Sequence, residues 1–271
     1  MAKQPDSRTR RASKVHPVPI NKMRIPPALV TQRPFRKAHG DDLAANLDLN
    51  KLGFPIVNHR DGNFWVLDGQ HRIYALKENG FVNDTVDCEV YENLTDPEMA
   101  DIFLGRDDRK AVDPFAKFHI ACTAGRKREN DIRRTVETQG LKVSKQRGED
   151  CIGCVGALGR VYDRDGATVL GQTLRTIKNA YAGDPDSFDQ NVIDGVALVF
   201  NRYNGQTNEK ELAARLGDSP HGVRGLLRRA ESVRTRTGNQ KGQCVAAVAV
   251  EIYNKGGGKK LPSWWKTANA E

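Results

Sequence analysis

The sequence predicts an α+β protein: a small α/β domain over residues 17–125, then a mostly helical domain over 126–255. Three observations predict it. Two short apolar runs bracket Asp61-Gly62, the turn signal of a hairpin. The second of these runs, "FWVLD", passes through Gly69 directly into a helical pattern. Beyond about residue 150, apolar positions recur at the 3.6-residue helical period. A length of 271 residues also suits two domains at roughly 150 residues each.

Each element has its own signal. Residues 1–16 hold Lys3, Arg8, Arg10, Arg11 and Lys14 against Asp6, without apolar periodicity, and read as a disordered basic arm. "VPINKMRI" reads as one short strand, which Pro19 places at a sheet edge. "GDDLAANLDLNKLG" reads as a helix with acidic residues at its start and Gly53 closing it. The hairpin runs from Phe54 to Asp68, and "GQHRIYALKENG" follows as a helix with Ile73 and Leu76 facing inward. "TVDCEVYENL" alternates as a strand. Asp96-Pro97 and Asp113-Pro114 each read as a helix cap with proline in the first turn, and "RENDIRRTVETQGL" adds another helix. Three further helical sets are Val155, Leu158 and Tyr162; Leu170, Leu174, Ile177 and Tyr181; and Phe188, Val192, Val196, Phe200 and Tyr203. Residues 256–271, rich in glycine and lysine and containing Trp264-Trp265, read as a flexible tail.

Charge narrows the partners. Lysine and arginine number 43 against 34 acidic residues, a formal +9, which favours an anionic partner such as nucleic acid or a nucleotide. No apolar run reaches 18 residues and no apolar stretch follows the N-terminal charges, so neither a membrane span nor a secretory signal is expected, and the cytoplasm is the expected compartment. The five scattered cysteines suit a reducing compartment. Cys151-x-x-Cys154 has the spacing of half a zinc site, but no second pair completes it.

The stretch "DGQHR", residues 68–72, carries the sharpest chemistry. A helix that starts at a glycine leaves its first N–H groups free and points its positive dipole end outward. Arg72 in the first turn can add a bidentate grip on phosphate, with Gln70 and His71 as neutral donors. The competing reading pairs Arg72 with a nearby carboxylate. Asp68 likewise reads either as a helix cap or, with His71 and Asp107 or Asp108, as part of a metal-dependent phosphodiesterase.

In order along the chain, "QRPFR" (32–36), "DGQHR" (68–72) and "GRDDR" (105–109) resemble the motifs of the ParB/sulfiredoxin superfamily, over about Pro17 to Gly125. The resemblance implies a nucleotide or phosphate pocket built from Gln32, Arg33, Arg36, Gly69, Gln70, His71, Arg72, Arg106 and Arg109, taking CTP or another nucleotide with Mg²⁺. The chain departs from the family where Gln70-His71 replaces Glu-Arg and Gly105-Arg106 replaces Glu-Asn. Gln70 also stands where sulfiredoxins carry their reactive cysteine, which excludes that reaction because an amide cannot be a thiolate nucleophile. "DGQHR" is similar to ParB-like nuclease-domain proteins of actinobacterial phages, which implies a phage or mobile-element origin and, as an alternative, DNA cleavage with Asp68 and His71 catalytic.

A second DNA-facing element reads from 207 to 233 as a helix-turn-helix-like pair. Leu212 and Leu216 face inward from the first helix, and Ser219-Pro220 reads as cap and first residue of the second. There Val223, Leu226 and Leu227 face inward, leaving His221, Arg224, Arg228 and Arg229 for DNA. Residues 207–241 hold eight basic and four acidic side chains, leaving +4. Gly222 and Gly225 each cost such a helix about 1 kcal/mol relative to alanine. The expectation is therefore a DNA-binding protein with a phosphate-binding "DGQHR" pocket. A nuclease and a non-catalytic adaptor with a basic docking surface are the alternatives, and a homodimer is left open.

Overall fold

The structure, a computed structural model, describes residues 11–105, 113–256 and 258–265. The chain divides into two compact units, Met1–Glu129 and Asn130–Glu271. Among the described residues no helix is long and apolar enough to cross a membrane.

The first unit is built on a five-stranded sheet of order β1-β5-β3-β4-β2. Its strands are β1 (Lys14–Pro19), β2 (Met23–Arg24), β3 (Ile56–Arg60), β4 (Asn63–Asp68) and β5 (Thr85–Glu92). β1 runs antiparallel to β5 and β3 antiparallel to β4, while β3–β5 and β2–β4 are parallel. β3 and β4 form the expected hairpin, and Asp61 and Gly62 both take positive φ, 53° and 72°, as a two-residue turn between twisted strands requires.

Side-chain alternation then sorts the core. Val57 and Val66 join Ile73 and Leu76 on one face of the sheet, while Ile56 and Leu67 join Leu94 and Met99 on the other. One face is therefore covered by α2 (Gln70–Glu78) and the other by α3 (Asp96–Gly105). Buried Asn58 fastens the β5–α3 connection, donating to the Leu94 carbonyl and accepting from its N–H, both at 2.9 Å.

Several expectations need correction. The basic arm does not stay unpaired to residue 16, because Lys14, Val15 and His16 already pair with Val90, Glu89 and Cys88. "VPINKMRI" is two strands at opposite edges, separated by a 3-10 turn at Ile20–Lys22 that is anchored where Ile20 donates to Asp84 O. The next helix, α1, spans Lys37–Ala45 and stops short of Gly53; Asp48 then accepts from Asn50 N and favours a separate 3-10 turn. Asp96 does not cap α3. Glu98 reaches back to the Thr95 N–H and hydroxyl, and Asp96 accepts from Arg60 instead. Asp113 does cap α4 (Pro114–Thr123), accepting from Ala116 N at 3.2 Å.

α5 spans Lys127–Thr138. The second unit then holds a small parallel pair, β6 (Lys142–Val143) and β7 (Cys151–Ile152), that its helical reading did not include. Its long helices are α6 (Val155–Ala180), broken at Gly166, α7 (Gln190–Arg202), α8 (Glu209–Gly217), α9 (Gly222–Thr237) and α10 (Lys241–Asn254). α10 buries every residue from Cys244 to Val250. α7 approaches it so closely that a Cβ on Gly195 would lie 2.5 Å from the Val245 side chain. Residues 258–265 lie against the same unit with Leu261 and Trp264 buried, so this part of the expected tail is packed.

Candidate functional site

The strand–turn–helix at residues 64–78 is held by its own arginine. Gly69 has φ 103°, and a Cβ there would lie 3.1 Å from the Arg72 guanidinium and 3.2 Å from Pro55. Both the conformation and the space thus call for glycine. The Arg72 guanidinium lies across the turn, donating to the Leu52 carbonyl at 2.8 Å and to the Asp68 carboxylate at 2.9 Å. The carboxylate pairing that competed with phosphate binding is therefore present, and Asp68 serves this pair rather than as a helix cap.

The "QRPFR" segment is stitched onto this turn. Gln32 donates its amide to the Val66 carbonyl, Gln70 donates to the Arg33 carbonyl at 3.1 Å, and Arg36 N–H donates to His71 Nε2 at 3.2 Å. Gln32, Gln70 and His71 are all buried. As an acceptor, His71 Nε2 carries no proton, which assigns the proton of a neutral ring to Nδ1. The ring stacks on Phe35 at 4.8 Å and meets His39 at 4.8 Å. Two motifs 36 positions apart are thus brought together, Gln70 and His71 engaging the backbone of the first and Gln32 the β4 backbone just ahead of the second. Arg33 is half-buried and Arg36 exposed, and neither guanidinium has a partner among the described residues. Arg106, Arg109, Asp107 and Asp108 lie outside the described residues.

Sequence reasoning missed the support beside this latch. Lys37 donates to both Asp41 oxygens at 2.8 Å, and Tyr74 donates to the same carboxylate at 2.9 Å. The lysine contact holds the Asp41 carboxyl below its usual range. A Cβ on Gly40 would come within 2.7 Å of Phe35 and 2.9 Å of Tyr74, so α1 sits directly on these rings. The available signal was the run of aromatic residues flanking the polar motifs.

The other candidate element is α8–α9. Asn208 caps α8 by accepting from Glu211 N at 3.1 Å, and Leu212 and Leu216 are buried as expected. α9 does not begin at Ser219-Pro220. His221 and Gly222 take positive φ, 66° and 54°, Gly222 donates to the Ser219 carbonyl, and the helix starts at Gly222. Gly225 is explained by this turn, since a Cβ there would lie 2.1 Å from the Pro220 carbonyl oxygen. Val223 and Leu226 are buried, whereas Leu227 is only half-buried.

The outward face of this element carries His221, Arg224 and Arg228, all exposed, with half-buried Arg229 beside them. Arg224 pairs with Asp186 at 2.8 Å and Arg229 with Glu251 at 3.2 Å. Arg228 has no partner among the described residues. Such exposed pairs are worth about 0–1 kcal/mol and exchange readily for a phosphate.

Among the described residues, no group of three or more histidine, cysteine or acidic side chains lies close enough to hold a metal ion. Cys154, at the start of α6, is pushed up to about 11 by burial and donates to the Phe188 carbonyl.

Comparison with known proteins adds a family. The model of a family of unknown function, DUF6551, matches residues 26–264. No curated protein matches the chain. Among solved structures, the C-terminally truncated chromosome-partitioning protein ParB from Caulobacter crescentus, complexed with CTP-gamma-S, is similar at 18% identity. That likeness covers 59% of this chain and 98% of the other, with a TM-score of 0.31.

Proposed function

We propose that this chain, which belongs to the family of unknown function DUF6551, is a ParB-like DNA-binding protein that contacts phosphates mainly through α9. One observation carries the reading: Arg224 and Arg228 on the second helix of a short-linked pair, and His221 in the turn just before it, are all exposed, and Arg228 has no carboxylate partner among the described residues. The formal +9 of the chain supplies a field that attracts a polyanion. In the first unit, Gln32, Gln70 and His71 act as positioning residues, and phosphate contact falls to Arg33 and Arg36, which they hold in place.

The nuclease alternative would draw on Asp68 and His71, but Arg72 holds the carboxylate and Arg36 N–H occupies Nε2, so no observation favours it. The test is fluorescence anisotropy of labelled duplex DNA over a salt series. With about six phosphate contacts, affinity should fall by about three decades between 50 and 200 mM salt. A flat salt response would favour the adaptor.

A further inference from the structure

The second unit also carries an aromatic and cationic cavity that the DNA-binding reading does not need. After α10 the chain folds back through residues 258–265, and four contacts fix it. Asn254 donates to the Leu261 carbonyl and accepts from its N–H, both at 2.8 Å. Tyr203 donates its hydroxyl to the Pro262 carbonyl at 2.6 Å, and the Arg202 guanidinium stands 4.8 Å over the Trp264 ring. Trp264 is thereby buried, while its neighbour Trp265 stays 46% exposed.

A cavity of about 390 Å³ lies here, lined among others by Trp264, Trp265, Lys255 and Arg229. Its size falls within the range of small-ligand sites, about 300–1,000 Å³. Among the described residues exposed Lys255 has no partner, while Arg229 is paired with Glu251, which also lines the cavity. An exposed indole presented by a fixed backbone, next to two cations, suits a flat ring that bears a phosphate. Apolar ligands would leave both cations unused, and inorganic phosphate would leave the indole unused.

We propose that this cavity binds a nucleobase-bearing phosphate, with the base stacked on Trp265 and the phosphate met by Lys255 and Arg229. The chemistry is shared by a free nucleotide and by an unpaired residue of a single strand. It does not depend on duplex binding by the outer face of α9.

The test is quenching of tryptophan fluorescence in the full chain by AMP and, separately, by a ten-nucleotide oligo(dT). Trp265→Ala supplies the control, since its exposed side chain can be removed without opening the core, and circular dichroism checks the fold. Wild-type protein should show saturable quenching that Trp265→Ala loses. Calorimetry should show affinity about ten-fold or more weaker in Trp265→Ala, and retained in Trp265→Phe. Saturation by AMP would identify a free nucleotide as sufficient, and saturation by the oligonucleotide alone would identify a strand. Absence of quenching by both, or quenching undiminished in Trp265→Ala, would overturn the proposal. Duplex anisotropy in the same preparations should not change in Trp265→Ala, so the two readings can fail separately.

Discussion

The backbone N–H of Arg36 donates to His71 Nε2 across 3.2 Å, joining a loop to a helix 35 residues further along the chain. Because His71 is buried and stacked on Phe35, its removal leaves that N–H without an acceptor and opens a gap beneath an aromatic ring. His71→Ala should destabilise the protein by about 2 kcal/mol, read as a lowered urea midpoint. A midpoint within error of wild type would show that the latch does not hold this segment.

Gly69 and Gly62 both have positive φ, but only Gly69 faces crowding from Arg72 and Pro55, whereas nothing lies within 4 Å of a Cβ on Gly62. Gly69→Ala should therefore lose about 1–3 kcal/mol and exceed the loss in Gly62→Ala, both measured by chemical denaturation. Equal losses would mean that conformation alone, without the packing of Arg72, sets the requirement.

Gly225 gives a test of sign. Helix propensity alone predicts that Gly225→Ala stabilises α9 by about 1 kcal/mol. The Pro220 carbonyl, 2.1 Å from the added Cβ, predicts destabilisation instead. A raised melting temperature would contradict the tight turn before α9.

Alkaline pH should act through buried Cys88 and half-buried Cys154. Burial pushes Cys88 up to about 12 and Cys154 up to about 11. A group raised in the folded state contributes stability that is complete below its unfolded value, about 8.5–9, and is lost as pH rises toward the folded value. The melting temperature should thus decline from about pH 9 upward, with a shallower slope in Cys154→Ser. Iodoacetamide at pH 8 should leave buried Cys88 unmodified and label half-buried Cys154 only slowly in the native protein, and rapid labelling of Cys88 would contradict its burial.

The elements most legible in the sequence were those with strong local signals. Asp61-Gly62 dictated the hairpin turn, Asp113-Pro114 the start of α4, and the 3.6-residue period the helices of the second unit. What escaped was set by distant partners. Met23–Arg24 is too short to show a period and is defined only by pairing with β4. Ser219-Pro220 looks like a helix start locally, yet the close approach at Gly225 moves that start to Gly222. The same holds for the site. Gln32, Gln70 and His71 could be singled out as residues, but their inward roles depend on partners 34 to 37 positions away, which no local pattern reveals.

On the proposed reading, α9 presents its outer cations to DNA phosphates. The most direct measurement is duplex-DNA anisotropy, over 50–200 mM salt, of wild-type protein beside an Arg224→Ala, Arg228→Ala double variant. Loss of two phosphate contacts should weaken binding to all sequences alike and reduce the logarithmic salt slope by about 2. An unchanged affinity and slope in a variant that keeps its circular dichroism would contradict the account.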